Sequence, residues 1–161
     1  MGELRVSEMK RTPAGMALTD LFLDLFRLNS RVIASGDRLV APLGLTSARW
    51  QVLGTILATD RPQPVAWLAR DMGTNRQSVQ RIVNDLVEEG LVEFQPNPHH
   101  RRAQLVMVTA KGKQAAEAAM RLQAPWVNDL SDGLRVEDIQ TMRKVVSALR
   151  TKLESNEDAE E

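Results

Sequence analysis

The chain has 161 residues, is 43% hydrophobic and 26% charged, and balances 21 basic against 21 acidic residues for a formal net charge of zero. That length fits one domain, or one domain with extra helices, and the composition lies far from the disordered range. Cysteine is absent, which excludes disulfides, thiolate nucleophiles and thiol redox sensing.

Residues 1–15 are polar, contain Pro13 and Gly15, and read as a flexible arm. The opening MGELRVSEMKR has no apolar signal core, and every long apolar run is broken by Arg, Asp or Glu. No transmembrane helix is expected, and the expected location is cytoplasmic. From Met16 onward Leu18, Leu21, Phe22, Leu25 and Val32 recur at helical spacing, which predicts a helix over about 16–40 that ends at Pro42 and Gly44. Thr46 suits the N-cap of a second helix, SARWQVLGTILA, with Trp50, Leu53, Ile56 and Leu57 on one face.

Arg61-Pro62-Gln63-Pro64 reads as a turn, with Pro64 placed to open a short helix over 65–72. Val65, Leu68 and Ala69 face inward there, and Gly73 is the stop. Thr74 or Asn75 then caps a second helix whose buried stripe is Val79, Ile82, Val83 and Leu86. A short helix, a glycine turn and a capped helix form a helix-turn-helix pattern. Gly90 stops the second helix, with Leu91 placed for the accompanying apolar contact. Two β-rich runs, 91–95 and 105–108, flank Pro96, Asn97 and Pro98, which predicts a hairpin tipped by His99, His100, Arg101 and Arg102. Thr109 caps a helix running from about 110 to 122 or beyond, bent or interrupted at Pro125. A last helix over about 136–153 carries Ile139, Met142, Val146, Leu149 and Leu153 at steps of 3, 4, 3 and 4, a two-heptad seam. The chain's two ends are therefore expected to pack together and against a second copy.

Charge distribution says more than net charge. The last eight residues, ESNEDAEE, hold five carboxylates, and without them 21 basic residues face 16 acidic ones, a net of +5. This tail, 154–161, reads as disordered and solvating. No acidic residue lies between Met72 and Asn84, and none between Phe94 and Ala116. A carboxylate near a phosphate would oppose binding, so both gaps point to an anionic polymer. Arg76, Gln77, Gln80, Arg81 and Asn84 lie outward or on the flanks of the capped helix. Such side chains bond guanine, adenine and phosphate, and arginine at a hairpin tip suits a narrow minor groove.

The block LARDMGTNRQSVQRIVNDLVEEGLVEFQPNPHHRRAQLVMVTAKG resembles the MarR (multiple antibiotic resistance regulator) family of winged helix-turn-helix transcription factors. The family's Leu-x-x-x-Gly-Leu-Val helix end is present as Leu86-Val87-Glu88-Glu89-Gly90-Leu91-Val92, and its hydrophobic-Thr-x-x-Gly as Val108-Thr109-Ala110-Lys111-Gly112. The similarity extends over about 18–153. It implies a mostly α-helical fold with a small β-hairpin wing. The winged helix would span 46–109 and dimerisation helices 16–40 and 110–153, within one domain over 16–153. It also implies a homodimer, repression at a pseudo-palindromic operator with half-sites about one helical turn (~10 bp) apart, and release by a small aromatic ligand. Carried onto this chain, the expected DNA contacts are Asn75, Arg76, Gln77, Ser78, Gln80, Arg81, His100, Arg101 and Arg102. The usual family wing reads Asp-Pro-x-Asp-Arg-Arg, and here His100 replaces the carboxylate that often braces a wing arginine.

Other readings are weaker. Adjacent His99 and His100 point to opposite sides of a hairpin and lack a third ligand, so no metal site is expected. No cofactor is implied. Phe22, Phe26, Trp50 and Trp67 are candidates for an aromatic ligand pocket, although filling apolar stripes is the simpler role for them. No nucleophile elbow, phosphate loop or paired carboxylate suggests an enzyme. The alternative class is a winged-helix protein-interaction module without DNA binding, which would lack a steep salt dependence.

Overall fold

The first helix begins three residues earlier than the apolar stripe predicts. In the structure, a computed structural model describing residues 11–59 and 61–157, α1 spans Pro13–Val40. Thr12 is its N-cap, and the Thr12 hydroxyl accepts from the Gly15 N–H at 3.0 Å. Proline at the first helical position gives up only a donor that has no intrahelical partner there. Pro13 and Gly15, read as part of an arm, are thus the first turn of α1. The rest of that predicted arm, 1–10, lies outside the described residues.

A 3-10 turn at Ala41–Leu43 leads to α2 (Ser47–Leu57), capped by Thr46 as expected. Ser47 ties the two helices together. Its N–H donates to Asp37 Oδ1 at 2.7 Å and its hydroxyl to the Ile33 carbonyl at 2.9 Å. Gly36 leaves room for that hydroxyl, since a Cβ there would lie 2.6 Å from Ser47 Oγ. The single apolar face expected for α2 is only partly right. Val52, Leu53 and Ile56 are buried, Trp50 is half-buried against the core, and Leu57 is exposed. The cause is packing: α1, the helices over 65–71 and 76–88, and the strand over 105–108 all contact α2, so more than one side is covered.

Gln63–Pro64, read as turn, is a short strand, β1. It pairs antiparallel with β3 (Leu105–Val108), which also pairs with β2 (Val92–Gln95), giving the order β1-β3-β2. Pro64 lacks a donor and is tolerated because β1 is an edge. Helix α3 (Val65–Asp71) follows with Val65, Leu68 and Ala69 buried, as the pattern required. It closes with Gly73 at φ +60° and with the Gly73 and Thr74 N–H groups bonded to Arg70 and Ala69 carbonyls. Asn75 caps α4 (Arg76–Glu88), whose Val79, Val83 and Leu86 are buried while Ile82 is half-buried. Leu53, Leu68, Val79, Val83, Leu86, Val92 and Val106 are fully buried in one cluster. Each such side chain contributes roughly 1.5–3 kcal/mol. This core fixes α3, α4 and the strands to one another.

Helix α5 (Ala110–Ser131) continues through Pro125 rather than stopping there. Helix α6 spans Val136–Glu157, four residues past its predicted end. Lys152, Leu153 and Glu154 are good helix formers, and no glycine or proline intervenes to stop it. The start of the predicted acidic tail is thus helical, and 158–161 lie outside the described residues. The chain divides into two compact units at Leu122 and Gln123. Within the second, Arg135 Nη2 meets Asp138 Oδ1 at 2.7 Å at the start of α6. No helix among the described residues is long and apolar enough to cross a membrane.

Candidate nucleic-acid interface

The outward face of α4 begins at its cap. Asn75 Oδ1 accepts from the Gln77 N–H at 2.8 Å and the Ser78 N–H at 3.3 Å, so the first turn is held by a neutral side chain. The first turn contains no acidic residue. Arg76, Gln77, Ser78 and Arg81 are exposed and Gln80 is half-buried. Gln80 Nε2 donates to Asn84 Oδ1 at 3.0 Å, which orients its amide along the helix. Cationic and amide side chains thus stand on one helix whose opposite stripe is core.

The other end of α4 is anchored from two elements. Arg49 of α2 donates through Nη1 to Glu89 Oε1, and through Nη2 to Asp85 Oδ2 at 3.3 Å. Lys111 Nζ donates to the Glu89 carbonyl at 2.6 Å. Gly90 takes φ +72°, and the Gly90 and Leu91 N–H groups bond the Val87 and Leu86 carbonyls, as the glycine stop predicted. Thr109 closes the loop: its hydroxyl donates to the Gly90 carbonyl at 2.7 Å and accepts from the Gly112 N–H at 3.0 Å. The hydrophobic-Thr-x-x-Gly motif is therefore the joint between α4, β2 and α5. Arg49 and Lys111 were not singled out from sequence. An Arg in α2 carries no sign of a partner 36 and 40 residues away.

The wing is the β2–β3 hairpin, with Val92 opposite Val108 and Gln95 opposite Leu105. Asn97 Oδ1 accepts from the His99 N–H at 3.0 Å, and the His100 N–H bonds the Asn97 carbonyl at 3.2 Å. A second turn follows, with the Ala103 N–H on the His100 carbonyl at 3.1 Å. His99, His100, Arg101 and Arg102 are all exposed at this tip. Among the described residues neither wing arginine is in an ion pair, in keeping with the missing carboxylate at position 100.

Between α4 and the wing lies a groove of about 800 Å³. Arg76, Gln80, His100 and Arg102 line it together, joined by Trp67 from α3 and Arg61 from the segment before β1. Among the described residues no Asp or Glu lines it. Gln77 shares a smaller concavity with Arg76 and Gln80 on the helix itself. Arg81 and Arg101 line neither. Of the four aromatic residues read as pocket candidates, only Trp67 lines the large groove, where 54% of it is exposed. Phe22 is half-buried on α1, Phe26 is 70% exposed, and Trp50 packs against the core.

A family model described as MarR family matches residues 43–103. An uncharacterised protein of Mycobacterium tuberculosis is 35% identical over 134 residues, which cover 81% of this chain and 92% of that protein. The transcriptional activatory protein BadR of Rhodopseudomonas palustris is 31% identical over 123 residues, 73% of this chain and 69% of BadR. Among solved structures, the transcriptional repressor CouR bound to a 23-mer DNA duplex superposes with a TM-score of 0.73 at 22% identity, covering 88% of this chain and 99% of that one. CouR from Rhodococcus jostii RHA1 bound to p-coumaroyl-CoA gives a TM-score of 0.73 at 22% identity over 81% of this chain and 91% of that one.

Proposed function

The chain belongs to the MarR family of transcriptional regulators, and from that premise we propose that it acts as a homodimer on a pseudo-palindromic DNA operator. The observation that carries this reading is the groove joining the exposed face of α4 to the wing, with Arg76, Gln80, His100 and Arg102 on it and no acidic residue among its described lining. Helix α4 enters the major groove and the wing tip the flanking minor groove. Asn75, Arg76, Gln77, Ser78, Gln80 and Arg81 work from the helix, and His100, Arg101 and Arg102 from the wing. The reading head is the segment 46–109, and the helices over 16–40 and 110–153 hold the dimer.

Exposed apolar faces support the dimer. In the first unit α1 leaves Leu23, Phe26, Leu28 and Val32 exposed. In the second, α6 exposes Val136, Ile139, Met142, Val146 and Leu153. Uncovered rows of this kind are uncommon on a monomer. Two-fold symmetry then sets half-sites about 10 bp apart.

Occupancy of the operator represses transcription in this reading, as the name of CouR supports. BadR, named as an activatory protein, favours a second reading in which the bound dimer recruits the polymerase instead. A small aromatic effector completes the proposal, supported by CouR with p-coumaroyl-CoA and by the rings of Phe22, Phe26 and Trp50 on α1 and α2. Near-complete release requires a differential affinity of roughly 5 kcal/mol between the two states.

Selection of bound duplexes from a random pool by the full-length protein tests the core of this. A palindrome with half-sites about 10 bp apart is expected. A pool with no enriched palindrome, and binding indifferent to salt, would replace this reading with a protein-interaction module. A reporter driven from the selected site then reads the sign of regulation.

A further inference from the structure

A helix in the major groove and a wing in the adjacent minor groove straddle one sugar-phosphate strand, because that strand is what separates the two grooves. The strand must therefore cross the gap between α4 and the hairpin. In this protein the gap is a groove of about 800 Å³ whose cationic rim comes from Arg61, Arg76 and Arg102 and whose apolar wall includes Trp67 and Phe94. We propose that this groove is the seat of the backbone strand, with the Trp67 indole packed on a deoxyribose and the Arg61 guanidinium on an adjoining phosphate. This rests on the DNA-binding reading above, and it extends the interface to two residues outside the helix-and-wing set.

Three observations support the occupant. Among the described residues no carboxylate lines the groove, while Arg61, Arg76 and Arg102 do, so the described lining complements a polyanion. It is continuous with the proposed reading face, since Arg76 and Gln80 line both the groove and the concavity on α4 itself. Finally, Trp67 sits on the first helix of the helix-turn-helix, the one that crosses the backbone, and it remains 54% exposed next to a core that buries its neighbours Val65, Leu68 and Ala69. A bulky apolar side chain left in the open, in a groove that three arginines also line, is poorly used as core. It is well used against the apolar face of a sugar. Trp67 thus moves from the effector reading to the DNA.

The test separates apolar from ionic contact. Full-length protein, Trp67→Ala, Arg61→Ala and Arg101→Ala are titrated with a duplex enriched from the random pool, across a series of salt concentrations. Trp67→Ala is expected to weaken binding roughly tenfold with an unchanged salt slope, because no counterion is released by an indole. Arg61→Ala is expected to weaken binding and reduce the slope by about one unit. Duplex addition should quench an emission component that is absent in Trp67→Ala. Trp67 is exposed, so its loss leaves the fold intact, which thermal unfolding verifies. Wild-type affinity in Trp67→Ala, or a DNA-induced emission change that persists in it, overturns the proposal while Arg101→Ala still weakens binding. Quenching of Trp67 by benzoate but not by the duplex overturns it in favour of a small aromatic anion. Failure of the DNA reading itself looks different, because no duplex is enriched and Arg101→Ala changes nothing.

Discussion

Gly112 approaches Leu91 so closely that a Cβ on it would lie 2.0 Å from the Leu91 carbonyl oxygen. That oxygen already accepts from the Thr109 N–H at 3.1 Å, and the Gly112 N–H holds the Thr109 hydroxyl. Nothing flexible can yield there, since the obstructing atom is backbone. Gly112→Ala should therefore destabilise the protein by on the order of 1–3 kcal/mol or more, despite alanine's better helix propensity. Gly54 is the contrasting case. It lies within α2, and a Cβ added there would meet nothing within 4 Å, so Gly54→Ala should stabilise by up to about 1 kcal/mol. Urea unfolding of both variants checks the pair, and equal shifts of the same sign would refute the steric account.

The α1–α2 tie predicts a coupling. Gly36→Ala pushes a methyl against the Ser47 hydroxyl, while Ser47→Ala removes that hydroxyl and its bond to Ile33. The lost hydrogen bond costs about 1 kcal/mol. Combined, the two changes relieve the clash, because Ser47 Cβ stands at an ordinary 3.7 Å. The double variant should be more stable than the sum of the singles implies, by about 1 kcal/mol. Strict additivity in a double-mutant cycle would rule out the contact as the cause.

Arg49 neutralises Asp85 and Glu89 near the end of α4. Its side chain is 25% exposed and its partners more so, so the pairs stabilise folding by no more than about 1 kcal/mol. Arg49→Leu should cost little stability yet weaken DNA binding several-fold, because it leaves two unpaired carboxylates at the end of α4 to oppose phosphate. Adding Asp85→Asn and Glu89→Gln should restore most of the lost affinity. Gel-shift titration reads this directly, and no restoration would mean that Arg49 acts through packing alone.

Base and phosphate contacts separate by salt and by sequence. Gln77→Ala should lose on the order of 1–3 kcal/mol at the selected operator and relax preference at one position of each half-site. Arg101→Ala should weaken binding to all duplexes alike and lower the salt slope by about one unit. Titration of both variants against operator and scrambled duplexes distinguishes them. A Gln77→Ala protein that loses equally on both duplexes would assign that residue to the backbone.

Much of the segment 46–109 was legible because local signals agree. Asn75, the Val79-Val83-Leu86 stripe and Gly90 each say helix with a defined start, face and stop, and tertiary packing only had to accept them. Strand β1 was not legible, because two residues including Pro64 carry no periodicity and exist as a strand only through the free edge of β3. The start of α1 was available in principle, as Thr12 and Pro13 form a cap and first position, but the apolar stripe starts later and outweighed them. Leu57 looked inward because α2 was treated as having one buried face, whereas packing by α1, α3, α4 and β3 reset which residues are covered. The groove brings Trp67 of α3 to Arg102 of the wing, far along the chain, and no pattern within α3 alone points across to the hairpin.

The cap of α4 offers the cleanest separation of stability from binding. Asparagine and aspartate are comparable N-caps, and a carboxylate also favours the positive end of the helix. Asn75→Asp should therefore fold as well as the wild type or up to about 1 kcal/mol better. The same substitution places a negative charge beside Arg76, in a stretch that is free of acid between Met72 and Asn84. It should weaken DNA binding markedly, most at low salt where repulsion is least screened. Asn75→Ala should do the reverse, losing about 1 kcal/mol of stability while perturbing binding less. Thermal unfolding and DNA titration on both variants give two orderings, and these should be opposite. Should both variants rank the same way in both assays, the cap would be far from the DNA and the orientation of α4 in the major groove would be wrong.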